Sequence, residues 1–428
     1  MMSKRVYLDS IGCRLNQSEI SRMAREFQAS GYTVTESPED ADVVVVNTCA
    51  VTRDATKESR KMVRQLHRQS EQAEIVVTGC YAHIQPDTIQ TLPGVKQVIS
   101  NFDKDHLVPL VTGQPFELEP LQRHYIPAGH TRAFIKVQDG CDNKCTFCMT
   151  TIARGHSRSR PLEAVIREVQ FMVGGGYQEI VLTGVNLVSY GQDSGLSLTA
   201  LLQSLLESTD VPRIRLSSLE PWDLDENFFR LWENPRMCRH LHLPLQSGCD
   251  QTLKRMLRRT SQAEFREIVQ MARQAAPEIA ISTDLIVGFP GETEHEFAES
   301  YAFTAEMDFM KIHVFPYSAM PGTPAARMKG QLDKLTAKDR VRQIQQLSDE
   351  GGRRFFARFL GQTMPVLWEG VRGASEAGFL HTGFTDNYIR VETTHPEVLT
   401  NTLTPTKLVY LTEGDVMHGD VMKARVYV

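Results

Sequence analysis

Cys141-Asp142-Asn143-Lys144-Cys145-Thr146-Phe147-Cys148 places three thiols within eight residues, directly after an apolar run at 134–137 that reads as a strand. Thiolates are soft ligands that suit zinc or iron–sulfur clusters. A zinc site closed by protein takes four ligands, and no fourth Cys or His fits locally. Three ligands on a four-iron cluster leave one iron open to a substrate. A metal loop at the end of a strand belongs on the C-terminal face of a (β/α) barrel, where such folds build their chemistry. A zinc knot is the competing reading.

Downstream, apolar runs at 180–183, 214–217, 240–243, 281–287 and 312–315 alternate with amphipathic segments. Together with 134–137 they make six strand–helix units, a complete or partial barrel. Open and closed sheets share this pattern. Beyond about residue 359 the character changes: 365–369, 379–384, 388–393, 407–412 and 423–428 read as strands separated by turn residues. No helix intervenes, so a small antiparallel β-barrel is expected.

Upstream, runs at 6–8, 43–46 and 75–77 read as buried strands, with helices at 16–29 and 54–68 between them. This alternation predicts a parallel α/β sheet. Cys13, Cys49 and Cys80 each follow one of these runs. If the runs are neighbouring parallel strands, all three cysteines leave the sheet at its C-terminal edge, where open α/β sheets bind ligands. Helix starts close behind favour thiolates and the negative charge of a cluster. The alternative is three buried structural cysteines. Cys238 and Cys249 lack such a context and read as ordinary thiols. Residues 118–129, with Pro120, Pro127 and Gly129, read as a linker.

The 428 residues exceed one core, and three domains are expected: 1–119, 127–358 and 359–428. Hydrophobic content of 41% and charged content of 23% are those of a globular protein. The first residues lack the pattern of a signal peptide, and no stretch approaches the ~20 apolar residues that span a bilayer. A cytoplasmic protein without a membrane partner is the expectation, in which clustered cysteines are metal ligands or catalytic thiols rather than disulfides. The net charge of -5 confines any nucleic-acid contact to a local patch.

Gly12-Cys13-Arg14-Leu15-Asn16, Asn47-Thr48-Cys49-Ala50-Val51-Thr52 and Gly79-Cys80-Tyr81-Ala82 resemble the N-terminal domain of the methylthiotransferases. The C-x3-C-x2-C block, followed by Ala153-Arg154-Gly155 and Ser159-Arg160, resembles their radical S-adenosylmethionine (SAM) domain. The last region is similar to their TRAM domain, a small RNA-binding β-barrel. Leu216-Ser217-Ser218-Leu219-Glu220-Pro221-Trp222-Asp223 and Phe384-Thr385-Asp386-Asn387-Tyr388 are similar to the type acting on threonylcarbamoyladenosine in tRNA. The isopentenyladenosine type and the ribosomal-protein type are the rivals. Met149-Thr150-Thr151 departs from the Ile-Ile-Pro of many relatives.

The resemblance implies two 4Fe-4S clusters, one on Cys141, Cys145 and Cys148 and one on Cys13, Cys49 and Cys80. It implies two SAM molecules per turnover. One methylates a sulfur carried by the first-domain cluster, and the other yields the radical that takes hydrogen from carbon 2 of the base. That C–H is too weakly acidic for general-base removal, so a cofactor must supply the hard step. By the same resemblance Phe147, Thr183, Gly184, Asn186, Ser217, Gln246 and Asp284 line the SAM site. Arg154, Arg158, Arg160, Tyr388 and Arg390 are candidate RNA contacts. The implied partners are a tRNA anticodon loop modified at position 37, a reductant protein of flavodoxin or ferredoxin type, and a sulfur donor. A non-catalytic RNA-binding protein with structural clusters is the reading from another class.

Overall fold

The computed structural model describes residues 3–114 and 131–422. The expected linker at 118–129 and the expected strand at 423–428 lie outside the described residues. The chain condenses into two compact units. One takes the described residues of Met1–Pro127, Gln138–Arg158 and Ser318–Ala326; the other takes those of Ala128–Val137, Ser159–Tyr317 and Arg327–Val428.

The first unit is built on β1 (Arg5–Ser10), α1 (Arg14–Ala29), β2 (Thr33–Val34), β3 (Val43–Thr48), α2 (Arg53–Gln69), β4 (Glu74–Gly79), α3 (Cys80–Ile84), α4 (Pro86–Gln90), β5 (Val95–Val98), α5 (Leu107–Thr112) and α6 (Thr150–Arg154). The strands form one parallel sheet in the order β2-β1-β3-β4-β5. Parallel sheets are covered on both faces, which is why β3 is apolar without alternation. Val44 and Val46 pack toward Val63 and Leu66 of α2, whereas Val43 and Val45 pack toward Met23 and Phe27 of α1. Thr52 caps α2, its side chain accepting from the Ala55 N–H at 3.1 Å.

In the second unit, Arg132–Lys136, Glu179–Thr183 and Arg213–Leu216 pair in parallel, as do His240–His242, Ala280–Val287 and Lys311–Pro316. Parallel bridges at Ile214–Met237 and Ser218–His242 join the two triplets. Among the described residues the first and sixth strands do not pair, so the six-stranded array is a partial barrel. A closed five-stranded barrel follows, made of Thr363–Ser375, Gly378–Thr385, Arg390–His395, Leu403–Leu411 and Met417–Val421. It is antiparallel except where Arg390–His395 runs parallel to Met417–Val421. Met417–Val421 was not among the expected strands, because Gly419 and Asp420 are poor strand formers in isolation. In the barrel Gly419 is required: a Cβ there would lie 2.5 Å from Thr406 Cγ2.

The partial barrel and the small barrel share a buried ion pair. Arg215, fully buried, donates to Glu179 through Nε at 2.6 Å and Nη2 at 3.1 Å, and to the carbonyls of Thr385 and Asp386. Burial alone would raise the Glu179 carboxyl; Arg215 holds it below the usual carboxylate range. Removing one partner strands the other charge. Glu179→Ala is therefore expected to destabilise this unit by about 3–5 kcal/mol, read as a lower urea midpoint in circular dichroism. An unchanged midpoint would refute the pair's importance.

Candidate functional site

Cys13, Cys49 and Cys80 leave neighbouring strands at one edge of the first sheet. Cys49 directly follows β3, Cys80 directly follows β4, and Cys13 lies three residues beyond β1. Register aligns Ser10 with Asn47 and Thr48 with Gly79. The loops approach so closely that a Cβ on Gly12 would sit 2.8 Å from Cys49 Cβ and 3.0 Å from its Sγ. Cys13 is the N-cap of α1 and Cys80 the first residue of α3, so each lies at the positive end of a helix. Burial pushes the Cys49 thiol up to about 12, partly opposed by the Val51 N–H and by Arg154.

The second triad folds within the same unit. Gly140 turns the chain with φ +74°, and a Cβ there would meet His156 O at 1.9 Å. The Cys141 N–H donates to Gly155 O, and the Cys148 N–H to Cys145 O. The Thr151 hydroxyl donates to Cys141 O at 3.1 Å, so the threonine that departs from the family pattern ties the loop to α6. The Ala325 N–H donates to Thr146 O. Backbone N–H groups also reach sulfur: Asn143 to Cys141 Sγ and Thr150 to Cys148 Sγ, both at 3.4 Å. α3, which begins at Cys80, packs against α6, which follows Cys148.

Among the described residues no three His, Cys, Asp or Glu side chains converge to hold a single metal ion. Cubane ligation differs, because each thiolate takes its own iron at a separate corner. The donor chemistry suits such a group: soft sulfur ligands, N–H groups aimed at sulfur, helix N-termini, and buried cations nearby.

Those cations belong to a network that the sequence reading missed. Arg154 Nη1 donates to Glu19 Oε1 at 2.9 Å and Asp139 Oδ1 at 3.0 Å, and Nη2 to Asn16 Oδ1 at 2.8 Å. Lys104 Nζ donates to Glu19 Oε2 at 2.8 Å and to Asn47 Oδ1 at 3.3 Å, while Asn47 Nδ2 donates to Glu19 Oε2 at 2.9 Å. Glu19 and Arg154 are each only 3% exposed. A signal was present in the sequence: Leu15, Glu19, Met23 and Phe27 lie four apart on the buried stripe of α1, and a carboxylate on an apolar stripe needs a buried partner.

Two of the expected RNA contacts are engaged within the protein. Arg154 is buried and fully engaged by Glu19, Asp139 and Asn16, so it is not available to a polyanion. Tyr388 spends its ring inside the second unit, stacked on His240 at 4.6 Å with the Arg215 guanidinium 4.6 Å from its centroid. Its hydroxyl accepts from Arg132. Arg160 bonds Lys136 O and Glu168. Arg158 and Arg390 are exposed.

The expected SAM contacts Thr183, Gly184, Asn186, Ser217, Gln246 and Asp284 all lie in the second unit, at or beyond strand ends except Asp284, which is within Ala280–Val287. Thr183 and Ser217 are adjacent, the Ser217 N–H donating to Leu182 O. Both are buried, and Thr183 Oγ1 and Ser217 Oγ have no hydrogen-bond partner among the described residues. Buried orphan hydroxyls are costly unless a polar ligand satisfies them. The Gln246 N–H donates to Asp284 O, with Gln246 at φ +72°. Phe147 belongs to the first unit, half-buried. His242 was not singled out as a site residue. It meets Asp284 through Nε2 at 3.2 Å and Ser282 through Nδ1 at 3.0 Å. Cys238 and Cys249 are buried in the second unit, and burial pushes the Cys238 thiol up to about 12.

Comparison with known proteins places residues 5–100 in "Uncharacterized protein family UPF0004" and residues 135–304 in the radical SAM superfamily. The threonylcarbamoyladenosine tRNA methylthiotransferase MtaB of Bacillus subtilis (strain 168) is 38% identical over 403 residues, covering 90% of this chain and 89% of the relative. The protein of the same name from Thermotoga maritima is 36% identical, covering 91% of each. Among solved structures, the radical S-adenosylmethionine methyltransferase TsrM of Kitasatospora setae, with tryptophan substrate and a SAM analogue, has a TM-score of 0.58 at 16% identity. It covers 76% of this chain and 75% of its own, which is a likeness of fold.

Proposed function

The chain belongs to the radical SAM methylthiotransferases of the MtaB type, and from that premise we propose that it places a methylthio group on carbon 2 of threonylcarbamoyladenosine at position 37 of tRNA, using two 4Fe-4S clusters and two SAM molecules. The observation that carries the proposal is the meeting of both cysteine triads in one compact unit, with α3 against α6.

When bound, a cluster on Cys141, Cys145 and Cys148 supplies an electron that cleaves SAM, and a cluster on Cys13, Cys49 and Cys80 supplies sulfur. Across the whole reaction a C2–H bond breaks and a C–S bond forms. The hydrogen leaves on 5′-deoxyadenosine, and the two SAM molecules leave as methionine and S-adenosylhomocysteine. The residues of the chain hold and orient. Gly140 and Thr151 set the shape of the Cys141 loop, and the Asn143 and Thr150 N–H groups stabilise negative charge on sulfur. Thr183 and Ser217 offer unsatisfied hydroxyls to a polar ligand, and Gly184, Asn186, Gln246 and Asp284 are the further SAM contacts proposed in the second unit. Arg158 and Arg390 are the exposed cations proposed to meet tRNA, with the region 359–428 acting as the RNA-binding barrel. No helix among the described residues is long and apolar enough to cross a membrane. A flavodoxin- or ferredoxin-type reductant, a sulfur donor and a cytoplasmic setting complete the proposal.

Mass spectrometry of tRNA nucleosides from cells with and without the gene tests it. The expected result is loss of 2-methylthio-threonylcarbamoyladenosine, with the unthiolated nucleoside accumulating. Loss of the isopentenyl product instead would overturn the substrate assignment.

A further inference from the structure

Four charged side chains of the first unit form a buried set: Glu19 from α1, Lys104 from the 3-10 turn Lys104–His106, Asp139 from the strand before the Cys141 loop, and Arg154 from the end of α6, with the exposed Arg158 4.0 Å from Asp139 at its edge. Two are acidic and two basic, so the set is neutral as a whole. The elements that supply it carry the two cysteine triads. Arg154 lies six residues after Cys148, and its guanidinium bonds Asn16, three residues after Cys13. Asn16 in turn accepts from Cys13 Sγ at 3.7 Å and donates to Ile11 O and Thr48 O, the backbone flanking Cys13 and Cys49. Arg154 also attracts negative charge on Cys13, Cys49 and Cys80, and Lys104 does so on Cys80.

We propose that Arg154, held between Glu19 and Asp139, is a positioning residue that locks the two cysteine loops together and biases the reduction potential of the cluster on Cys13, Cys49 and Cys80. The inference rests on the two-cluster reading above. A reduced cluster is one charge more negative than an oxidised one, and potential follows net charge and hydrogen bonding around the sulfurs. In a buried site a fixed cation is weakly screened and favours the reduced form. Glu19, bonded to both cations, works in the opposite sense. Each single neutralisation therefore changes the charge beside the first triad by one unit of known sign.

The test is an anaerobic redox titration of the full-length, cluster-loaded protein, followed by electron paramagnetic resonance. The signal that changes on adding SAM belongs to the SAM-binding cluster; the other is followed. Arg154→Gln is expected to lower its midpoint and Glu19→Gln to raise it, each changing the reduced-to-oxidised ratio at a fixed potential by roughly tenfold. Lys104→Gln should shift it in the same direction as Arg154→Gln, and Arg154→Lys should restore most of the wild-type value. If Arg154→Gln fails to hold iron, Glu19→Gln and Lys104→Gln still carry the test through their opposite signs. A purely structural brace would lose iron in every variant without opposed shifts, and that outcome, or shifts of one sign, overturns the proposal. Iron analysis of the unmodified protein separates the two levels: a single cluster there sinks the two-cluster reading, whereas two clusters with no opposed shifts sink only the role of the network.

Discussion

Cys145→Ala is expected to abolish 5′-deoxyadenosine release when the reduced protein is incubated with SAM. Cys145 is the middle cysteine of a short loop whose other thiols, Cys141 and Cys148, are fixed by their own backbone contacts. Its carbonyl accepts the Cys148 N–H, so the backbone turn survives the substitution and only the ligand is lost. Two thiolates cannot replace three, because each holds a different iron. Changes to groups that merely orient metal ligands cost about 10–100-fold in affinity or activity, and removing a ligand should exceed that range. Chromatographic assay of 5′-deoxyadenosine reads the result directly. Release at more than a hundredth of the wild-type rate would show that this triad does not drive SAM cleavage.

The second large effect separates the triads. Cys49→Ala is expected to leave SAM cleavage within a few-fold of wild type while abolishing methylthiolated tRNA, and to reduce bound iron from about eight to about four atoms per chain. Cys49 stands at the end of β3, in the centre of the sheet, between the strands that precede Cys13 and Cys80. The alanine side chain fits the space of the thiol, and Ser59, which bonds both the N–H and the carbonyl of residue 49, keeps the loop in place. The local fold should therefore persist without the ligand. Mass spectrometry of the product decides the matter: methylthiolated nucleoside formed by Cys49→Ala would end the division of labour between the clusters.

The two triads differ in how they could be found. The C-x3-C-x2-C loop is local, because its cysteines are neighbours in the chain and spacing alone marks it out. Cys13, Cys49 and Cys80 are legible only through the strands that precede them, since a parallel sheet brings the ends of sequence-distant runs to one edge. The strands themselves were readable because a sheet covered on both faces demands unbroken apolar runs, as in Val43–Val46. Met417–Val421 was not, because its pairing depends on the missing side chain of Gly419 rather than on any propensity of its own.

Burial decided the rest. Arg154 and Tyr388 look in sequence like surface groups that meet RNA, since a cation after a metal loop and an aromatic in a small barrel both suit a polyanion. Sequence states what a side chain can bond but not which partner reaches it first. For Arg154 that partner is Glu19, 135 positions away, and for Tyr388 it is His240 and Arg215. The sequence by itself determined the strand-and-helix alternation, the small C-terminal barrel and the placement of six cysteines in two sets behind strands, because these follow from local periodicity. Only the tertiary structure decided that both triads share one compact unit, and that a neutral set of four buried charges lies between their loops. Pairing among buried charges is set by distances that chain folding creates.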